Sequence, residues 1–254
     1  ARQQAQLDAL LADLRQSTNL PFFSFRVHFP HVDGFDAILM NPPWVRSHRW
    51  PTAPREVLRH SYSVCARAGW PYAARATGAS AGASAQVDLS LLFLERAVRL
   101  LAERGTLGAI LPAKLFRSLY AGGARALLLE QTQLQAIEDY SLDHRDVFTA
   151  DAFPAVVITH ETRDASTRAG IDVRLARRNI EPLCFTVSAA DLPLRPGDAQ
   201  SPWLIAPPEC AAALRTMQSN GAPLMEQGLV IRRGVMSAAN EGVVFIAPAC
   251  RWAR

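Results

Sequence analysis

Gly34-Phe35-Asp36-Ala37-Ile38-Leu39-Met40-Asn41-Pro42-Pro43-Trp44 decides how this chain is read. Phe35 to Met40 is a short, mostly apolar run, the pattern of a parallel strand buried on both faces. It stops at Asn41-Pro42-Pro43, because proline has no N–H to give to a strand ladder. In open α/β sheets, ligands bind beyond the carboxyl ends of the strands, and Asn41 to Trp44 stands at such an end. Two prolines stiffen the loop, Asn41 offers an amide oxygen and Trp44 offers a large flat face. Alone, the tetrapeptide reads equally well as a turn, since Asn-Pro starts many turns. Its place after a buried-type strand favours a functional loop.

Upstream, residues 3–15 read as an amphipathic helix with Leu7, Leu10, Leu11 and Leu14 on one face. Residues 22–29, rich in Phe, show partial strand alternation. Downstream, residues 45–86 have no sustained period. Arg46, His48, Arg49, Arg55, Arg59 and Arg67 make this stretch basic, with Trp50, Tyr62, Trp70 and Tyr72 interleaved, and it ends in an Ala/Gly/Ser-rich loop over residues 73–85. A helix is expected from Asp88 to Arg104, with Leu89, Leu92, Phe93, Ala97, Leu100 and Leu101 at helical spacing and Gly105 placed to end it. Strands are expected at residues 106–111, 134–140 and 155–160, with a helix over 113–131 broken near Gly122-Gly123. Alternating strands and helices predict an α/β fold with a doubly wound, parallel sheet. Pro193, Pro196, Pro202, Pro207 and Pro208 mark residues 183–208 as a linker. Residues 229–235 and 242–246 read as the first strands of a second domain.

The chain has 254 residues, nearly half of them apolar and a fifth charged, which suits a packed core. No window is apolar for long enough to span a bilayer, and the polar start is not a secretory signal. Cys65, Cys184, Cys210 and Cys250 form no C-x-x-C pair. His28, His31, His48, His60, His144 and His160 show no metal-ligand spacing, so no metal site is expected. A cytoplasmic location follows from this cysteine usage. There is no phosphate-binding G-x-x-x-x-G-K-[ST] loop and no Pro-Cys dipeptide. The net charge of +4 is compatible with a polyanionic partner. The basic residues are almost all arginine, and Lys114 is the only lysine.

Residues 34–44 resemble the catalytic motif of adenine-N6 DNA methyltransferases. The resemblance continues, in the same order, through Asp88-Leu89-Ser90-Leu91-Leu92-Phe93-Leu94-Glu95-Arg96-Ala97, then Gly105 to Pro112, then Asp146-Val147-Phe148-Thr149-Ala150-Asp151-Ala152 before an apolar strand. It covers roughly residues 20–160, and four ordered segments are far more specific than one tetrapeptide. It implies that S-adenosylmethionine is the cofactor and double-stranded DNA the partner, in a restriction-modification or phage-defence setting. Asn41 and Pro42 would accept the amine hydrogens of adenine. Trp44 and Phe148 would stack on the flipped base, and Pro43 and Phe93 would approach the cofactor. Trp44 stands where the family more often has tyrosine. Arg46, Arg49 and Arg55 are expected to touch DNA phosphates.

The family's glycine-rich cofactor turn would precede the catalytic motif, and no glycine occurs before Gly34. The chain is therefore expected to be a fragment lacking the cofactor-binding half, with a separately encoded N-terminal half as a further partner. In this reading residues 1–182 are the C-terminal part of the catalytic domain, 183–208 the linker and 209–254 the truncated start of a target-recognition domain. Residues 222–224 and 233–241 resemble its entry, with Ser237-Ala238 in place of the usual Thr-Gly. Two other readings stay open: an inactive remnant that binds DNA or a partner, and a methyltransferase acting on protein glutamine or RNA.

Overall fold

The computed structural model describes residues 25–46, 49, 57–58, 60–72, 87–143, 153–161 and 170–222. Its centre is a six-stranded sheet of β1 (Phe35–Met40), β2 (Leu101–Pro112), β3 (Thr132–Asp139), β4 (Pro154–Glu161), β5 (Ile171–Leu175) and β6 (Leu183–Val187). The strand order is β1-β2-β4-β3-β5-β6. The helices are α1 (Phe25–His28), α2 (Ser63–Ala66), α3 (Leu89–Leu100), α4 (Lys114–Arg117), α5 (Gly122–Gln131) and α6 (Pro208–Asn220). The α/β class is as expected, but the pairing is mixed. β1 and β2 run parallel, as do β3 and β5. The β2–β4, β3–β4 and β5–β6 pairs are antiparallel. Strands that follow one another and pair directly need no crossover helix, and such pairs are antiparallel by geometry.

β2 shows why the core lies where it does. Leu107, Ala109 and Leu111 alternate with less buried residues and put one face of the strand into the interior. α3 and α5 pack over that side, with Leu91, Leu94, Val98, Leu127 and Leu128 in the same core cluster. α2 wedges against both helices. Its position is fixed by Glu95, which is 1% exposed. The Glu95 carboxylate accepts the backbone N–H groups of Ser63 (3.0 Å) and Val64 (2.8 Å) and pairs with Arg99. A buried carboxylate is tolerable only when its oxygens are occupied in this way.

Several local expectations are corrected. Residues 25–28 form a helical turn rather than a strand, because that spacing brings Phe25 and Phe29 together at 6.3 Å and both against Phe35. α3 ends at Leu100, and the chain turns directly into β2. Gly105 does not stop a helix. A Cβ there would lie 2.6 Å from the Phe35 carbonyl, so glycine is what lets β1 and β2 approach. The break in the following helix falls at Ser118 rather than at the glycines. Gly122 and Gly123 instead open α5, where a Cβ would strike the Gly69 carbonyl at 1.8 Å and the Val64 carbonyl at 2.7 Å.

Residues 183–208, linker-like in composition, contain β6 and a packed return. Trp203 stacks on Phe116 at 5.6 Å and donates its backbone N–H to the Phe116 carbonyl. The helix expected at residues 3–15, the loop at 73–85 and the second-domain strands at 229–235 and 242–246 lie outside the described residues. No helix among the described residues is long and apolar enough to cross a membrane. No group of three or more His, Cys, Asp or Glu among them could hold a metal ion.

The return is locked by Arg125 on α5, which is fully buried. Its guanidinium donates to the carbonyls of Leu115 (2.9 Å), Ser118 (2.7 Å) and Gln200 (2.6 Å). Burial depresses its pKa to about 10, against a smaller raising effect of Asp198, and it remains cationic at neutral pH. Arg125→Ala strands three acceptors, each worth ~1 kcal/mol or more when left unmade. Chemical denaturation should show a loss of about 3 kcal/mol or more, little restored by Arg125→Lys, whose single ammonium lacks the fork. A loss under ~1 kcal/mol would show that water replaces the guanidinium at little cost.

Candidate active site

The loop after β1 emerges at the carboxyl edge of the sheet. Met40 pairs with Ala109, so Asn41 leaves on the same side as the end of β2 at Pro112. Asn41 and Pro43 are exposed, Pro42 is buried and Trp44 is half-buried. The loop is then tied to α3. The Val45 carbonyl accepts the Leu89 N–H at 2.8 Å, and Arg46 forms an isolated bridge with Asp88. Asp88 caps α3 by accepting the Ser90 N–H (3.0 Å) and hydroxyl (2.7 Å) on one oxygen. One turn further, Phe93 is 45% exposed between buried Leu92 and Leu94. Phe93 is therefore not a core residue, and its ring is open on the helix that the loop at residues 41–44 is fastened to.

Beside this loop lies a cavity of about 750 Å³, lined by Arg46, Ala113, Lys114, Arg117, Ser118, Tyr120, Ser141 and Phe153. Its residues come from four chain segments that meet at one edge. Arg46 follows the Asn41–Trp44 loop, residues 113–120 follow β2, Ser141 follows β3 and Phe153 precedes β4. The Ala113 N–H donates to the Phe153 carbonyl at 2.8 Å and closes the floor. Among the described lining residues three are cationic and none is a carboxylate. Behind the wall, Asp139 is 4% exposed. One of its oxygens accepts the Ser141 N–H and hydroxyl, and the other accepts Arg117 at 2.9 Å.

The expected site residues are thus partly gathered. Asn41 to Trp44, Arg46 and the α3 turn bearing Phe93 stand together, and exposed Arg49 donates its N–H to the Arg46 carbonyl at 2.9 Å. Arg55 and Phe148 lie outside the described residues. Lys114, Arg117, Tyr120 and Phe153 were not singled out from the sequence. The available signal was position: Ala113-Lys114 directly follows Pro112 at the carboxyl end of a strand, as Asn41 follows Met40.

Residues 3–148, more than half of the chain, match the Eco57I restriction-modification methylase family. The chain belongs to that family. Among curated relatives, it is 24% identical over 222 residues to Type II methyltransferase M.PaeR7I of Pseudomonas aeruginosa, covering 83% of this chain and 35% of that protein. It is 24% identical over 226 residues to Type II methyltransferase M.XhoI of Xanthomonas vasicola, covering 84% and 38%. The chain thus spans little more than a third of the curated relatives it matches. Among solved structures, it is similar to the M protein of the Type I restriction enzyme EcoKI, with 13% identity and a TM-score of 0.38 over 70% of this chain and 34% of that one. A second is the Type IIL restriction-modification enzyme MmeI in complex with DNA, with 12% identity and a TM-score of 0.41 over 59% and 18%.

In this member of the Eco57I methylase family, Tyr120 reports on the cavity. Burial raises its phenol pKa above the ordinary 10.0; a Ser118 hydrogen bond opposes that, Asp88 adds to it and Arg46 opposes it. The folded-state pKa is above the unfolded one, so the stability from keeping Tyr120 neutral is whole below about pH 10. It is lost as pH rises through the folded value. Tyr120→Phe should flatten the alkaline limb of the stability profile, and Arg46→Ala should move the Tyr120 titration higher by removing a cation. Ultraviolet difference titration checks the second effect. A Tyr120 that titrates lower in Arg46→Ala would break the link between the Asn41 loop and this wall.

Proposed function

We propose that this chain carries the catalytic centre of a site-specific DNA methyltransferase of a restriction-modification system that modifies the N6 amine of adenine. One observation carries the reading. The Asn41-Pro42-Pro43-Trp44 loop stands at the carboxyl edge of the sheet, clamped to the first turn of α3 and next to a cationic cavity with aromatic walls. The adenine amine is a poor nucleophile because its lone pair is delocalised into the ring. The exposed Asn41 side-chain oxygen and the Pro42 carbonyl accept its two hydrogens and favour a tetrahedral nitrogen. Trp44 stacks on the base once it has swung out of the duplex, an interaction worth ~1–3 kcal/mol. Phe148 supplies a second face in this reading.

S-adenosylmethionine supplies the methyl group when bound. The exposed Pro43 and the open Phe93 ring fit one apolar wall for its flat adenine. Among the described residues, β1 has one strand neighbour and Leu39 is 87% exposed. That free edge supports a cofactor-binding half that pairs with β1, supplied by another segment or a separate chain. Arg46, Arg49 and Arg55 supply phosphate contacts, and residues from 209 onward begin a domain that reads the target sequence.

The test is Asn41→Ala in a polypeptide or complex that binds S-adenosylmethionine. A hydrogen bond to a group gaining charge is worth ~1.5–3 kcal/mol, so labelled methyl transfer should fall roughly ten- to a hundred-fold while duplex binding persists. Transfer within roughly threefold of the wild type would remove Asn41 from the mechanism. Label found in protein or RNA, and not at adenine N6 of DNA, would replace the substrate.

A further inference from the structure

The cavity at the carboxyl edge holds more charge than methyl transfer to a neutral amine requires. Arg46, Lys114 and Arg117 face it, with no carboxylate among the described lining residues. Among the described residues, Lys114 makes no ion pair, and it is the only lysine of the chain. Arg117 is positioned differently. Its side chain is 55% exposed, and its guanidinium is held from behind by the buried Asp139 carboxylate, which is itself fixed by Ser141. One face of the guanidinium is thus spent on orientation, and its other N–H donors are open. A free ammonium beside an oriented guanidinium suits a ligand with several anionic oxygens rather than a neutral base.

The backbone beneath these side chains is rigid. The Leu115 and Ser118 carbonyls, on either side of Arg117, are both held by Arg125. The cavity volume suits a ligand the size of one nucleotide, and Tyr120 and Phe153 provide flat walls.

We infer that Lys114 and Arg117, on the turn after β2, form a clamp for the DNA backbone phosphate next to the nucleotide that enters this cavity. The inference rests on the DNA methyltransferase reading and deepens it. It assigns the anchoring of the target strand to this turn rather than to the arginine run after the catalytic loop. A phosphate held here fixes the strand at the cavity mouth while the base rotates towards Asn41.

Because Lys114 is the only lysine, an amine-directed acylating ester labels one side chain, read by peptide mass spectrometry. A short mixed-sequence duplex should suppress that labelling in proportion to its occupancy. Lys114→Gln and Arg117→Gln should each make the plot of log affinity against log salt shallower by about one. Arg104→Gln, an exposed arginine at the opposite edge of β2, should leave it unchanged. Circular dichroism checks that Arg117→Gln, which also frees Asp139, keeps the fold; Lys114→Gln breaks no ion pair among the described residues and carries the test alone if it does not. Duplex binding that leaves Lys114 labelling at its free rate overturns the clamp and leaves the methyltransferase reading standing. Protection of Lys114 by S-adenosylmethionine but not by duplex also overturns it. A chain that binds no duplex at all overturns both.

Discussion

Arg125 carries a positive charge into a place with no exposure to solvent and finds only backbone carbonyls there. Burying such a group costs several kcal/mol unless its donors are occupied, so the three acceptors must stay where they are. That requirement fixes three separate pieces of chain at once. The turn after β2 is held through Leu115 and Ser118, the returning segment through Gln200, and α5 carries the guanidinium itself. Gln200 passes the constraint on, since its side-chain amide donates to the Arg67 carbonyl at 2.7 Å. Arg67 in turn forms a two-pronged pair with Glu130 on α5. The segment around Arg67 is thereby docked to the sheet's helical layer.

Glycine makes this arrangement possible. Gly122 and Gly123 let the segment around Val64 and Gly69 lie directly on the start of α5. Gly34 and Gly105 do the same for the entry of β1 beside β2. Close approach at the amino end of the strands sets the register, and the register decides what meets at the carboxyl end. With Met40 opposite Ala109 and Pro112 opposite Pro154, the Asn41 loop, the Lys114 turn and Phe153 arrive at the same edge. Strand pairing alone brings together at this edge residues more than a hundred positions apart, Asn41 and Phe153.

What was legible in the sequence follows from which signals are local. Phe35 to Met40 was legible as a strand stopped at Asn41-Pro42-Pro43, because an apolar run cut by proline has few readings. Its expected burial on both faces was not met: no residue of β1 is buried among the described residues and Leu39 is 87% exposed. The strands within β2, β3 and β4 were found for the same reason. Direction was not, because a strand's own composition does not say whether its neighbour is parallel. The exposure of Phe93 was also hidden. α3 is apolar on most of its surface, so periodicity could not say which side faces the sheet, and its one glutamate, Glu95, is buried. Glu95 makes sense only once the N–H groups of Ser63 and Val64 are seen above it. The proline-rich stretch misled in a similar manner. Its prolines interrupt ladders, yet Trp203 and Ser201 still bury themselves against the domain.

The cavity joins these strands of argument. Its cations stand on the turn that the buried guanidinium immobilises, and one of them is aimed by a second buried charge, Asp139. Both ionic groups lie behind the wall and are satisfied within the protein, so neither competes for an incoming anion. A flexible basic loop attracts a polyanion but does not set its position, because each cation can follow its phosphate. A cation fixed from behind does the reverse: the phosphate must come to it. Strand pairing brings that fixed point to the same sheet edge as Asn41, so under the proposed reading a strand held there would present its base to the loop at residues 41–44. The internal polar network therefore does more than stabilise the fold. It supplies the rigidity that the proposed methyl transfer, with its in-line geometry, would demand of its binding surface.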